Sequence, residues 1–174
     1  MKNIMLDLET MGTNPDAAII AIGAVEFSLE TKALGREFYQ VVDLESAMRS
    51  GGTVDASTIL WWMQQSDEAR GEFKRFGRNI RSVLCAFRDW LYQESGDFGL
   101  WGSGADFDNV ILRSAYTREG LSPPWSHKQN RCFRTMRSMY PQVDTSAWES
   151  TKHNALSDAK WQARYLCEIL GGKK

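Results

Sequence analysis

The sequence predicts an α/β domain whose sheet of about five strands is flanked by helices. Three short apolar runs follow one another near the N-terminus, with turn residues between them. Later segments alternate between apolar residues at helical spacing and short β-forming runs, which is typical of a layered α/β arrangement. A length of 174 residues suits one core. We therefore expect a single domain over residues 1–174.

The first half of the chain predicts three strands and two helices. Residues 3–8, 18–27 and 34–42 are rich in β-forming side chains, and their short links predict an antiparallel meander. After the break at residues 51–52, Asp55 is a candidate N-cap for a helix. The clearest helical stripe then starts after Asn79, and its apolar members are Ile80, Val83, Leu84, Phe87, Trp90 and Leu91.

The second half predicts two more strands between helices. The expected elements are a strand at 99–102, a helix starting near residue 106, a weak strand at 125–129, a short helix at 132–140 and a last helix at 155–170. Ligands of open α/β sheets bind at the carboxyl ends of strands. The first predicted strand ends at Asp7-Leu8-Glu9, and the fourth ends just before Asp106-Phe107-Asp108.

Composition excludes some classes of protein. Hydrophobic residues make up 43% of the chain and charged residues 25%, as in ordinary globular domains. The sequence contains neither the apolar run of a membrane span nor the start of a signal peptide. Its three scattered cysteines argue against a disulfide framework. We therefore expect a cytoplasmic protein without a membrane partner.

Charge is unevenly distributed along the chain. Residues 1–69 hold 4 Lys and Arg against 11 Asp and Glu, whereas residues 70–174 hold 17 against 11. An acidic half suits metal ions and a basic half suits phosphates, although a solvated surface explains the same counts. The basic residues form two local clusters. These are Arg70, Lys74, Arg75 and Arg78, and then Lys128, Arg131, Arg134 and Arg137.

Acidic side chains occupy the end of the first strand. Asp7 and Glu9 are two residues apart, so they project from one face of the strand. Two carboxylates this close repel each other, and partial burial adds a desolvation cost. A bound cation, a basic side chain or protonation of one acid would offset that cost. Hard divalent cations are suited to carboxylate oxygens.

Two further segments carry residues that could join this acid pair. Asp106 and Asp108 stand at the start of a predicted helix, where acids also serve as caps or interact with the helix dipole. His153 and Asp158 flank the start of the last helix, with Asn154 as its expected cap. Helix-dipole and loop roles explain these residues too. The three segments become informative because they occur together.

With these residues in order, the chain resembles the DEDDh branch of the DnaQ-like 3′–5′ exonucleases. Three motifs carry the resemblance over most of the chain: Asp7-x-Glu9-Thr10, Phe107-Asp108 and His153-x-x-x-x-Asp158. Thr58-x-x-Trp61-Trp62 places it nearest a compact phage, prophage and bacterial branch. One departure is Asp106, because many relatives have Asn there.

The resemblance implies an RNase H-like mixed sheet and a metal-dependent exonuclease. It would hydrolyse single-stranded DNA or RNA from a free 3′ end and release nucleoside 5′-monophosphates. Two Mg²⁺ or Mn²⁺ ions would be held by four carboxylates, and His153 would act as the general base. The implied metal ligands are Asp7, Glu9, Asp108 and Asp158.

The same resemblance implies substrate contacts and leaves alternatives. Thr10 and Met11 would meet the terminal nucleotide. Trp61 or Trp62 would stack on a base, and Trp61 is the residue we select. Asp106 is a secondary candidate ligand. A homodimer is compatible with the family, and the preferred sugar is open. A catalytically silent nucleic-acid-binding domain and a structural Ca²⁺ cluster are the alternative functions.

Overall fold

The computed structural model describes residues 2–71, 76–93, 97–141, 143–148 and 153–171. Lys74 and Arg75 of the first basic cluster lie outside these ranges. The five strands are β1 Lys2–Thr10, β2 Ile19–Phe27, β3 Leu34–Val41, β4 Phe98–Gly102 and β5 Asn130–Cys132. The seven α-helices described are α1 Leu44–Arg49, α2 Ala56–Met63, α3 Asp67–Gly71, α4 Ile80–Tyr92, α5 Asp108–Arg118, α6 Phe133–Met139 and α7 Ala155–Leu170.

The sheet is mixed, with the strand order β3-β2-β1-β4-β5. The first three strands form the expected antiparallel meander. In contrast, β4 pairs in parallel with β1 and β5 pairs in parallel with β4. The carboxyl ends of β1, β4 and β5 therefore meet at one edge. The predicted class, an RNase H-like mixed sheet flanked by helices, is confirmed.

Side chains of β1 alternate between two hydrophobic cores. Ile4, Leu6 and Leu8 enter the core that contains α4 and α5, whereas Met5 enters the core that contains α6 and α7. Because strand side chains alternate with a period of two, Asp7 and Glu9 continue on the Met5 face. The acid pair therefore faces α7, and this direction decides which distant residues can reach it.

The two longest helices begin as the sequence predicts. The Asn79 side chain accepts a hydrogen bond from the Arg81 amide at the start of α4, and all six residues of its stripe are buried. Asn154 caps α7 by accepting from the Ser157 amide at 3.0 Å. No helix in the part of the chain that the structure describes has the length and apolar character needed to cross a membrane.

Several details differ from the sequence prediction. Helices α1 and α3 were not expected. Asp55 is at the N-cap position of α2, but its carboxylate accepts from the Thr13 amide at 3.2 Å instead of capping the helix. The fifth strand is Asn130–Cys132, because the Ser126 and Gln129 side chains close residues 126–129 into a capped 3₁₀ turn.

Gly23 sets the approach of α7 to the sheet. It pairs with Asp7 across the β1–β2 ladder. A Cβ atom built on Gly23 would lie 2.2 Å from the backbone of Ala155 and Leu156. Only a residue without a side chain therefore lets the first turn of α7 cross β2 beside Asp7. Since α7 carries Asp158, this contact also positions the acid group.

Replacing Gly23 with Ala should destabilise the fold severely, by roughly 3 kcal/mol or more, because the overlap is with backbone that cannot move aside. Gly99→Ala is the matched control, since its Cβ would meet other atoms at an ordinary 3.5 Å. Urea unfolding of both variants measures the difference. Equal stability of the two would contradict the close packing of α7.

Candidate active site

Three carboxylates converge at the carboxyl end of β1. Oxygen atoms of Asp7, Glu9 and Asp158 all lie within 4.8 Å of one another. Asp7 and Glu9 come from adjacent same-face positions of β1, and Asp158 comes from the first turn of α7. They line a cavity of about 510 Å³. The structure thus brings together residues 151 positions apart, as the motif order predicts.

Asp108 adjoins this group and is hydrogen-bonded to the backbone of β1. Its carboxylate is 1% exposed at the start of α5. One oxygen accepts from the Leu8 amide at 3.1 Å, and the other accepts from the Ser103 amide at 2.5 Å. Within the described residues, Asp108 is not part of the trio that lies within 4.8 Å. Its role here is to tie the end of β1 to the turn after β4.

Crowding of negative charge changes the acidity of the site. Burial raises the pKa of Asp7 well above its usual value, and the charges of Asp108, Glu9 and Asp158 raise it further. The Gln162 amide donates to Asp7 Oδ1 at 2.7 Å and partly opposes this rise. Burial also raises the pKa of Asp108 to about 6, against its backbone hydrogen bonds. The charged site therefore favours a cation.

His153 lies beside the carboxylates and lines the same cavity. Its amide donates to Asp158 Oδ2 at 3.0 Å, and its ring meets Trp61 edge-on with centroids 4.8 Å apart. The residue has a φ of 60°. This left-handed conformation is unfavourable for most side chains and, where observed, is a reason to examine a residue for function.

The two adjacent tryptophans have different environments. Trp62 is buried, and its Nε1 donates to the Thr10 carbonyl at 3.0 Å. Trp61 is 42% exposed on the cavity wall. Adjacent residues of a helix face different directions, as expected. Trp61 therefore has the surface that a stacked base requires, whereas Trp62 joins α2 to β1.

Thr10, Met11 and Asp106 occupy three different positions. Thr10 lines the cavity, and its hydroxyl donates to the Gly12 carbonyl at 2.7 Å. Met11 is partly buried against core side chains, and it is not among the described residues that line the cavity. Asp106 is exposed and likewise absent from that lining. Neither Met11 nor Asp106 is therefore brought to the carboxylates.

The sequence analysis missed Gln162 and named Arg134 only as a member of a basic cluster. Gln162 lies four positions after Asp158, so both share one face of α7. This spacing is a signal that points to Gln162 once Asp158 is suspected. Arg134 of α6 also lines the cavity, and its charge lowers the pKa of Asp108. The position of Arg134 at the cavity depends on how α6 packs, which no local sequence pattern predicts.

The donor set fits a hard divalent cation. It consists of carboxylate oxygens, with no thiolate among the described residues at the cavity. Mg²⁺, Ca²⁺ and Mn²⁺ prefer such oxygens. A cation there would also relieve the repulsion that raises the pKa of Asp7.

This combination of sheet and site defines an RNase H-like nuclease domain. A family model described as "3′–5′ exoribonuclease Rv2179c-like domain" matches residues 2–170, and the chain belongs to this family. The exonuclease resemblance inferred from the three motifs is thus confirmed.

Individual relatives and solved structures show the same likeness. The exodeoxyribonuclease of Enterobacteria phage T4 is 28% identical over 124 residues, which span 64% of this chain and about half (54%) of the phage enzyme. The nuclease domain of 3′hExo, a DEDDh family member bound to rAMP, has a TM-score of 0.66 at 17% identity, over 97% of this chain and 91% of that one. E. coli Exonuclease I in complex with a dT13 oligonucleotide has a TM-score of 0.71 at 16% identity, over 97% and 40%.

Replacing Asp7 with Asn should stabilise the metal-free protein near neutral pH by roughly 1–3 kcal/mol, because it removes one of the crowded charges and keeps the acceptor for Gln162. A carboxyl whose pKa is raised by folding stabilises the fold at low pH and loses that contribution as the pH rises. The gain of the variant should therefore be small near the unfolded-state Asp value of about 3.9 and should grow as the pH rises toward the raised pKa of Asp7.

Thermal unfolding in EDTA across this pH range measures the gain. Added Mg²⁺ or Mn²⁺ should then reverse the order, since a ligand that binds the native state stabilises wild type more than the variant. A variant less stable than wild type in EDTA at neutral pH would contradict this account of the site.

Proposed function

We propose that the chain is a metal-dependent 3′–5′ exonuclease that acts on single-stranded nucleic acid and releases nucleoside 5′-monophosphates. The observation that carries the proposal is the convergence of Asp7, Glu9 and Asp158 beside His153 in one cavity. Family membership supports the reaction, and relatives crystallised with rAMP and with a dT13 oligonucleotide support the class of substrate. One exonuclease domain would span residues 1–174.

Asp7, Glu9 and Asp158 would hold the divalent ions, with Asp108 as a fourth carboxylate next to them. Two Mg²⁺ or Mn²⁺ ions held by these carboxylates would supply positive charge to stabilise the attacking and leaving oxygens of the displacement. Gln162 holds Asp7 in place through its 2.7 Å hydrogen bond. The His153 amide does the same for Asp158.

His153 takes a proton from the water that attacks the terminal phosphorus. Histidine suits this role because its charge changes near physiological pH. Its ring is held edge-on by Trp61 and Trp62, which restricts where it can point. Trp61 offers its exposed surface to the terminal base, and such stacking is worth about 1–3 kcal/mol. Thr10 would border the terminal sugar.

The alternative is a catalytically silent binding domain of the same fold. A silent domain gives no reason for all four motif acids and the motif histidine to be present. It also leaves the crowding of negative charge at Asp7 unexplained. The three cysteines are free thiols, which supports a reducing, cytoplasmic location. A homodimer stays a prediction, and exposed Leu60 and Met63 on α2 offer surface for one.

A 5′-labelled oligonucleotide should be shortened stepwise from its 3′ end in the presence of Mg²⁺ or Mn²⁺, and EDTA should stop the reaction because the carboxylates then have no cation to bind. Gel electrophoresis resolves the ladder. Matched DNA and RNA strands identify the preferred sugar. A strand left intact under all conditions, or an internally cut circle, would contradict the proposal.

His153→Asn should reduce kcat by about 10²–10⁴-fold, because the general base is lost. Asn tolerates the left-handed backbone that this residue adopts. The hydrogen bond from the backbone amide of residue 153 to Asp158 should persist, because it does not involve the side chain. Metal ions should therefore still raise the melting temperature of the variant.

His127→Asn is the matched control for this prediction. His127 is the other histidine of the chain and lies exposed in the 3₁₀ turn before β5. This variant should retain wild-type kcat. Equal activity of the two variants would remove His153 from the mechanism.

A further inference from the structure

A second, basic cavity adjoins the carboxylate cavity. Arg134 lines both, so its side chain is the shared wall. The second cavity has a volume of about 370 Å³ and is lined by residues of α6, by Pro141, Val143 and Thr145, and by Tyr165 of α7. Its polar lining includes Arg137, Ser138 and Thr145. The proposed function leaves this cavity without a role.

Charge separates the two cavities. Three carboxylates line the first, whereas none of the described residues lining the second is acidic. Within the described ranges, neither Arg134 nor Arg137 forms an ion pair with a carboxylate. By contrast, Arg131 of the same basic cluster donates to the Lys128 and Asn130 carbonyls. The cluster is thus divided, and only its last two arginines face the cavities.

Arg137 packs against two aromatic rings of α7. Its guanidinium lies 5.3 Å from the ring centre of Trp161 and 5.8 Å from that of Tyr165. Phe133 anchors α6 to the same two rings through edge contacts. A guanidinium stacked by its face keeps its N–H edge for a planar anion such as a phosphate. Side chains three apart on a helix are neighbours, so Arg134 and Arg137 form a short row.

We propose that this row binds the phosphodiester backbone of the strand on the 5′ side of the nucleotide being removed, with Arg134 nearest the reaction centre and Arg137 at the next phosphate. The proposal rests on the proposed function, which places the 3′ end among the carboxylates. The rest of an anionic strand then has to leave that acidic cavity. The adjoining wall offers two arginines, and Ser138 and Thr145 add hydroxyl donors.

Arg137→Gln should weaken binding of a decanucleotide roughly tenfold and lower the salt dependence of binding by about 0.7 in the log–log slope, since one phosphate contact is lost. Fluorescence anisotropy in EDTA measures both without turnover. In the presence of metal, the ratio of kcat/KM for the decanucleotide to that for an unphosphorylated dinucleotide should also fall about tenfold. The dinucleotide has only the scissile phosphate and does not reach Arg137.

Two further variants control for folding and for general charge. Arg137→Lys keeps the charge and should retain most of the salt slope. Arg88→Gln removes an exposed arginine from α4, in the opposite helix layer, and should bind like wild type. Thermal unfolding of each variant shows whether α6 still packs on α7.

The outcomes separate the two proposals. If wild type shortens the strand and Arg137→Gln binds the decanucleotide with unchanged affinity and slope, the path along α6 is wrong and the exonuclease proposal stands. If wild type binds the decanucleotide through Arg137 but never cleaves it, the exonuclease proposal fails and the basic row remains a binding site for the strand.

Discussion

Repulsion among carboxylates at the end of β1 is the constraint to which the surrounding structure responds. Asp7 is crowded by Glu9, Asp108 and Asp158, and each of these charges raises its pKa. Donors converge on the acids from every side: the Leu8 and Ser103 amides, the His153 amide and the Gln162 side chain. Compensation by hydrogen bonds is incomplete, because the pKa values of Asp7 and Asp108 remain raised. The fold therefore retains an electrostatic cost that a bound cation would relieve.

The sheet explains how such a group can form at all. The parallel pairing of β4 with β1 brings the turn before Asp108 to the carboxyl end of the central strand. Alternation along β1 aims Asp7 and Glu9 at α7, and Gly23 lets that helix come close enough for Asp158 to reach them. The acid group therefore depends on three features together: the strand order, the alternation of side chains along β1 and the close approach of α7.

The periodicity of apolar residues predicted β1 to β4, α4 and α7, and the order of the motifs predicted that Asp7, Glu9, His153 and Asp158 share one cavity. These local signals failed where the outcome depends on contacts across the molecule. Asp55 bonds to the loop before β2 instead of its own helix, and Met11 turns into the core although its sequence neighbour Thr10 lines the cavity. Arg134 and Arg137 looked like any basic surface until the packing of α6 on α7 placed them on cavity walls. A local sequence pattern predicts which face of a helix or strand a side chain occupies. It does not predict which residues pack against that face.

The position of Asp158 on the last described helix has a consequence during translation. Asp7 and Glu9 leave the ribosome first, more than 140 residues ahead of His153 and Asp158. The nascent chain thus carries an acid pair without its partners, because α7 has yet to cross Gly23. Assembly of the centre waits for this long-range contact, and long-range contacts form slowly compared with local ones. A nascent chain that has not yet formed α7 therefore lacks the assembled carboxylate group.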